Sequence, residues 1–129
     1  MCEIFPHPAM ARIFLYGTLK SGGVSHRLLA GQRLIGAART GPDYLLYQLD
    51  GYPGMVPAPG AGRTIEGEVW EVDLECLARL DEWEGTAGGL FARIPVRLLP
   101  PQDQPGAEAY VYLRGVEGRQ DLGTRFGPG

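Results

Sequence analysis

An apolar strand that stops abruptly at a glycine constrains this chain more than any other stretch. Residues Arg12-Ile13-Phe14-Leu15-Tyr16-Gly17-Thr18-Leu19-Lys20-Ser21 run from aliphatic and aromatic side chains into Gly17. Thr18, Leu19 and the one lysine of the chain follow, with Gly22 and Gly23 behind them. Side chains of this kind belong in a buried strand. Where such a strand ends in a glycine-containing turn, several backbone N–H groups lose their ladder partners, and they are either solvated or aimed at a ligand oxygen. The segment from Tyr16 to Lys20 is therefore the first candidate binding site.

At 129 residues the chain suits one domain with a core of its own. A hydrophobic content of 44% with 21% charged residues is ordinary for a globular protein. No apolar run approaches the ~20 residues that cross a bilayer, which speaks against a membrane partner. The N-terminus lacks the basic flank and apolar stretch of a secretory signal, so a cytoplasmic location is expected. Net charge is −3 and the arginines are scattered, so nothing neutralises a nucleic-acid backbone. Two cysteines and two histidines without ligand spacing build no metal site, and Cys76 reads as a free buried thiol.

Along the chain, residues 1–10 read as a flexible leader, 11–117 as the domain and 118–129 as a flexible, Gly-rich tail. Strands are expected over Ala11–Tyr16, Arg33–Thr40, Tyr44–Leu49, Thr64–Val72, Leu90–Leu99 and Glu108–Leu113, with a short edge strand at Met55–Pro59. A short helix is expected at Ser25–Ala30, closed by Gly31. A longer one runs from Leu74 to Trp83, with Asp73 as N-cap and Gly85 as its stop. Many strands, few helices and no βαβ repeat predict an α+β fold: a small mixed, curled sheet or barrel flanked by a few short helices.

The longer helix carries an acid where a leucine belongs. At about 100° per residue, Leu74, Leu77 and Leu80 define an apolar arc centred near ~300°, and Glu84 falls at ~280°, inside it. Glu75, Arg79 and Glu82 lie opposite, and Asp81 lies at the margin. A carboxyl buried there has its pKa raised by desolvation and by the negative end of the helix dipole, as suits a general base near neutral pH. The wheel alone leaves a second reading open, in which the helix frays before Glu84 and the side chain points to water.

Other residues attract less weight. Gly17 and Gly22 mimic part of a P-loop, but Gly23 stands where that motif needs a lysine. Lys20 is either a substrate-carboxylate contact or a solvated loop residue. His26 reads as a packing residue rather than a base, Asp81 as structural, and Tyr47, Tyr110 and Tyr112 as strand packing with one hydroxyl free to reach a cavity.

Four segments in order resemble the γ-glutamylcyclotransferase-like family, which includes γ-glutamylamine cyclotransferases and AIG2-like small proteins. These are Phe14-Leu15-Tyr16-Gly17-Thr18-Leu19-Lys20, Gly51-Tyr52-Pro53-Gly54, Gly67-Glu68-Val69-Trp70-Glu71-Val72 and Leu80-Asp81-Glu82-Trp83-Glu84-Gly85, with Ala109-Tyr110-Val111-Tyr112 behind them. The resemblance implies Glu84, not Glu82, as the catalytic residue. It also implies that Tyr16, Gly17, Thr18 and Leu19 cradle a small-molecule γ-glutamyl substrate. The implied reaction releases 5-oxoproline and a free amine without metal or other cofactor. Phe91 stands two residues before Arg93 where many members carry a tyrosine, a departure that bears on substrate choice. A non-catalytic small-molecule-binding or interaction domain that kept the cavity is the alternative.

Overall fold

The computed structural model describes residues 10–17, 19 and 26–126. Thr18, Lys20 and residues 1–9 of the expected leader lie outside the described residues. Met10, the last residue assigned to that leader, is instead the first residue of a strand. The elements are β1 (Met10–Leu15), a 3-10 turn (His26–Leu29), β2 (Arg33–Arg39), β3 (Tyr44–Gln48) and β4 (Pro53–Pro57). They are followed by β5 (Glu66–Asp73), α1 (Leu74–Trp83), β6 (Phe91–Pro95) and β7 (Ala107–Tyr112).

Five strands form a mixed sheet in the order β2-β5-β1-β7-β6, while β3 and β4 form a separate hairpin. Among the described residues only the β1–β7 pair is parallel. The expected α+β class holds, but the barrel does not. Backbone bonds from Gly41 N–H to Arg97 C=O (2.9 Å) and from Leu99 N–H to Arg39 C=O (2.8 Å) bring the chain beyond β6 to the end of β2. An isolated bridge between Thr40 and Leu98 completes that contact. The sheet therefore curls and its two margins touch at one end without closing.

Both faces of this sheet are covered, which explains why its central strands are apolar on both sides. Phe14, Tyr16, Val69, Ala109 and Val111 pack with Leu46 and Met55 of the hairpin. Ile13, Leu15, Trp70, Val72 and Tyr110 pack with Cys76, Leu77 and Leu80 of α1. Along β5 alternate side chains go to opposite covered faces, Val69 towards the hairpin and Trp70 and Val72 towards α1. Close packing also fixes Gly67, where a Cβ would lie 2.3 Å from the Leu15 carbonyl oxygen on the neighbouring strand.

Thr40 is fully buried at the point where the sheet margins meet. Its Oγ1 donates to the Gly41 carbonyl (2.7 Å) and accepts from the Ile65 N–H (3.0 Å). Replacing Thr40 by Val keeps the shape and orphans that N–H, so we expect a loss of about 1–3 kcal/mol, read from urea unfolding.

The tail expected to be loose from Gly118 onward is instead built into the fold through residue 126. Gln48 N–H donates to Gln120 C=O, Leu122 N–H to Leu46 C=O and Glu66 N–H to Thr124 C=O. Arg63 Nη1 holds both oxygens of Asp121 at 2.8 Å. Leu122 and Phe126 cover the hairpin-side core. Gly and polar composition alone concealed this, because the segment is fixed by backbone bonds and two apolar anchors rather than by a strand pattern.

Candidate active site

Helix α1 starts and ends as its sequence dictates, and its ending decides the site. Asp73 Oδ1 accepts from Cys76 N–H at 2.7 Å, the N-cap bond that the aspartate was expected to supply. At the other end Gly85 adopts φ +70°, its N–H donates to Glu82 C=O, and Thr86 N–H reaches back to Asp81 C=O. That pair of bonds is a Schellman motif, which a glycine in the left-handed region permits. Glu84 is thus the C-cap residue, its own N–H bonded to Leu80 C=O at 2.9 Å, and the helix does not fray before it. Leu74, assigned to the apolar arc, is 54% exposed; Cys76, Leu77 and Leu80 form the buried stripe instead. The stripe rotates by that much, and Glu84 stays within it.

Glu84 opens into a cavity of about 430 Å³. The end of β1 supplies Leu15, Tyr16, Gly17 and Leu19 to its wall; the hairpin turn supplies Gly51, Tyr52 and Pro53; the exit from α1 supplies Trp83 and Glu84. Leu90, Phe91 and Tyr110 close the remaining side. The sequence-predicted Tyr16, Gly17 and Leu19 are therefore brought to the same cavity as Glu84. Burial pushes the Glu84 carboxyl from 4.5 up to about 7. The helix dipole expected to assist contributes no identified part of that rise. The last-turn carbonyls of Asp81 and Glu82 are already bonded by Thr86 and Gly85, which leaves little unsatisfied dipole at this end.

Tyr16 lines the cavity, and its hydroxyl is committed to the fold. Its hydroxyl donates to the Tyr110 carbonyl (2.7 Å) and accepts from Met55 N–H (3.1 Å), tying the hairpin to β7. Burial first, and the nearby Glu84 charge second, hold this phenol well above its ordinary pKa. The hydroxyl is a structural strut. Gly17 sits so close to the hairpin turn that a Cβ there would lie 2.9 Å from Pro53 Cγ. His26 braces the bend from behind: its Nδ1 lies 3.0 Å from the Leu19 carbonyl oxygen and its ring stands edge-on to Trp70 at 5.3 Å.

Asp81, read from the sequence as structural, ties α1 to β6 and β7. Its carboxylate accepts Arg93 Nε (2.9 Å) and Nη2 (3.0 Å) as a two-point pair, and Tyr110 Oη at 2.7 Å. Arg93 Nη1 also bonds Glu108 Oε1. Desolvation raises the Asp81 pKa, but the bonds from Arg93 and Tyr110 outweigh it and hold the group below its usual range. Burial and its bond to Asp81 lift the Tyr110 hydroxyl above the ordinary range. One turn of helix thus carries an anion kept ionised and a second carboxyl kept protonatable, and only the second meets the cavity.

Glu82 lies on the exposed face, away from the cavity. Glu82→Gln should leave turnover within about twofold and stability nearly unchanged, as checked by steady-state assay and urea unfolding. The sequence reading missed Tyr52, Pro53, Trp83 and Leu90 as cavity walls. The Gly51-Tyr52-Pro53-Gly54 segment was a clue, because the turn between β3 and β4 can reach across to the end of a neighbouring strand. Among the described residues no group of three or more His, Cys, Asp and Glu side chains could hold a metal ion. No helix among them is long and apolar enough to cross a membrane.

Comparison with known proteins finds a family model described as "Gamma-glutamyl cyclotransferase, AIG2-like" matching residues 13–125. A γ-glutamylcyclotransferase family protein, ytfP, of Citrobacter rodentium is 37% identical over 107 residues, covering 83% of this chain and 86% of its own. Human γ-glutamylaminecyclotransferase is 38% identical over 107 residues, which covers 77% of this chain and 69% of the human protein. A putative γ-glutamylcyclotransferase of Vibrio cholerae is 42% identical over 69 residues, spanning 54% of this chain and 57% of that one. Among solved structures, a mouse AIG2-like protein superposes with a TM-score of 0.76 at 25% identity, covering 92% of this chain and 96% of that one. The solution structure of Escherichia coli ytfP matches with a TM-score of 0.63 at 38% identity, over 88% and 92% of the two chains.

Proposed function

The chain belongs to the γ-glutamyl cyclotransferase, AIG2-like family, and on that premise we propose that it releases 5-oxoproline and a free amine from a γ-glutamyl amide, in the cytoplasm and without a cofactor. The observation that carries this reading is a carboxyl pushed up to about 7, in one cavity with the bend that ends β1.

The chemistry follows from what each group can do. Ionised Glu84 takes a proton from the substrate α-ammonium and frees the amine to attack its own γ-carbonyl. A C–N bond closes the five-membered lactam as the original amide C–N bond breaks. Glu84 then returns that proton to the departing nitrogen, which also receives the second proton shed as the attacking nitrogen becomes the lactam N–H. The amine leaves as an ammonium, and Glu84 ends as the carboxylate it began as. Such base-then-acid service contributes about 10²–10⁴-fold. The oxyanion that develops on the carbonyl needs fixed donors, and backbone N–H groups of the Gly17–Leu19 bend are the ones this reading assigns, with Thr18 between them. Tyr16 contributes no proton, because its hydroxyl is already shared between Tyr110 and Met55. The apolar enclosure does the rest by holding the flexible glutamyl arm in a folded, near-attack shape.

Product identity tests this reading. Incubation with γ-glutamyl amides should yield 5-oxoproline and amine in equal amounts. Free glutamate would mean that water, not the α-amine, attacks; no product at all would favour a binding domain. Since the base must be ionised, kcat/KM should climb as pH rises through about 7 and level off above it. A profile flat across that range would remove Glu84 from the proton transfers.

A further inference from the structure

Resting on the cyclisation reading, we propose that the outer part of the cavity is a subsite for a leaving amine that bears an aryl or alkyl arm and no carboxylate, with Trp83 as its principal wall. A γ-glutamyl group has few atoms and fills roughly 160 Å³ at the density of a protein interior. The cavity holds about 430 Å³, so more than half is left for whatever is attached to the scissile nitrogen. What surrounds that space is mostly aromatic and aliphatic: Tyr52, Trp83, Leu90 and Phe91, with Glu84 the one carboxylate and no basic side chain among the described lining residues.

The rings are arranged as a slot and not as isolated packing. Phe91 stands tilted against Tyr112 at 5.3 Å and against Tyr52 at 6.3 Å, so its face is held in a fixed direction. Trp83 completes the rim with 51% of its surface exposed, an unusual state for the largest apolar side chain in the sequence. An arm lying against the indole would remove that surface from water. The loop behind Trp83 is braced, since Arg114 Nη2 bonds the Gly88 carbonyl (3.1 Å) and its Nε the Gly89 carbonyl (3.4 Å).

The same wall disfavours an amino-acid leaving group. The α-carboxylate of such a group would lose water against aromatic rings and meet the Glu84 charge. Of the described guanidinium groups near the rim, Arg119 is paired with Asp50 at 2.9 Å and Arg114 with the loop carbonyls. Phe91 in place of a tyrosine removes a hydroxyl from this slot and makes it more apolar still.

Three substrates that share the glutamyl half separate the possibilities: γ-glutamyl-phenethylamide, γ-glutamyl-phenylalanine and γ-glutamyl-methylamide, each assayed by 5-oxoproline release. The phenethylamide should exceed both others in kcat/KM by at least about tenfold. Trp83→Ala should bring the phenethylamide-to-methylamide ratio towards one, mainly through KM, and Trp83→Phe should restore most of it. Equal use of the methylamide, or better use of the phenylalanine conjugate, would overturn the subsite and leave cyclisation standing. Absence of 5-oxoproline from all three would overturn both.

Discussion

Glu84→Gln should lower 5-oxoproline release by about 10²–10⁴-fold while making the protein more stable at pH 8. The two halves of this result have one cause. The cavity wall holds a carboxyl whose charged form it cannot solvate, and the folded-state pKa stands at about 7 against 4.5 for a free glutamate. A raised acid binds its proton more tightly in the folded state than in the unfolded one. Its ionisation therefore erodes stability as pH climbs from about 4.5 to 7, and the loss is complete above that window. The shift corresponds to at most about 3 kcal/mol, and the opening of Glu84 towards the cavity mouth brings the expected gain nearer 1–2 kcal/mol. Gln keeps the shape and removes the charge, so urea unfolding at pH 5 and pH 8 should show a flatter pH dependence for the variant. A variant that is inactive and also destabilised at pH 8 would mean that Glu84 holds the helix end together and is not a strained base.

Arg93→Met strikes the second large effect, because one guanidinium serves two carboxylates. Removing it leaves Asp81 and Glu108 facing each other's neighbourhood without a counter-charge, and Tyr110 Oη becomes the sole identified side-chain donor to Asp81. Asp81 and Arg93 are each about a quarter exposed, so water screens part of the loss. We expect about 2 kcal/mol of destabilisation at pH 7. The sign with pH follows from Asp81, whose folded pKa is depressed. Its contribution is present above the ordinary carboxylate pKa and vanishes as pH falls through the lower folded value, so the gap between variant and wild type should narrow in acid. The same substitution leaves an uncompensated anion one helical turn from Glu84, which should move the rising limb of the kcat/KM profile to higher pH. A stability gap unchanged between pH 7 and pH 3.5 would show that Arg93 acts by packing alone.

The helix was legible because every signal for it is local. Asp73 caps it, Gly85 ends it, and a period of 3.6 residues locates Glu84 on the buried side even though Leu74 turned out to be exposed. Strand β1, which stops just before Gly17, was legible for the same reason, through an unbroken apolar run and a glycine close behind it. What the sequence could not display was long-range. Tyr16 finds its hydroxyl partners on β7 and β4, 94 and 39 residues away, and nothing in the neighbourhood of Tyr16 foretells either. Asp81 meets Arg93 and Tyr110 only once β6 and β7 are laid beside α1. The tail misled because Leu122 and Phe126 are two anchors in a Gly-rich polar stretch, too few to make a pattern. The choice between a curled sheet and a barrel likewise rested on whether two distant margins zip along their length or meet at one end.

A carbon-detected NMR titration of the Glu84 side-chain carboxyl, identified by its absence from Glu84→Gln, probes the buried base without any substrate. A midpoint near 7 is the expected result. A midpoint near 4.5, the value of a glutamate in open water, would contradict a base prepared by burial and, with it, the cyclisation mechanism built on that base.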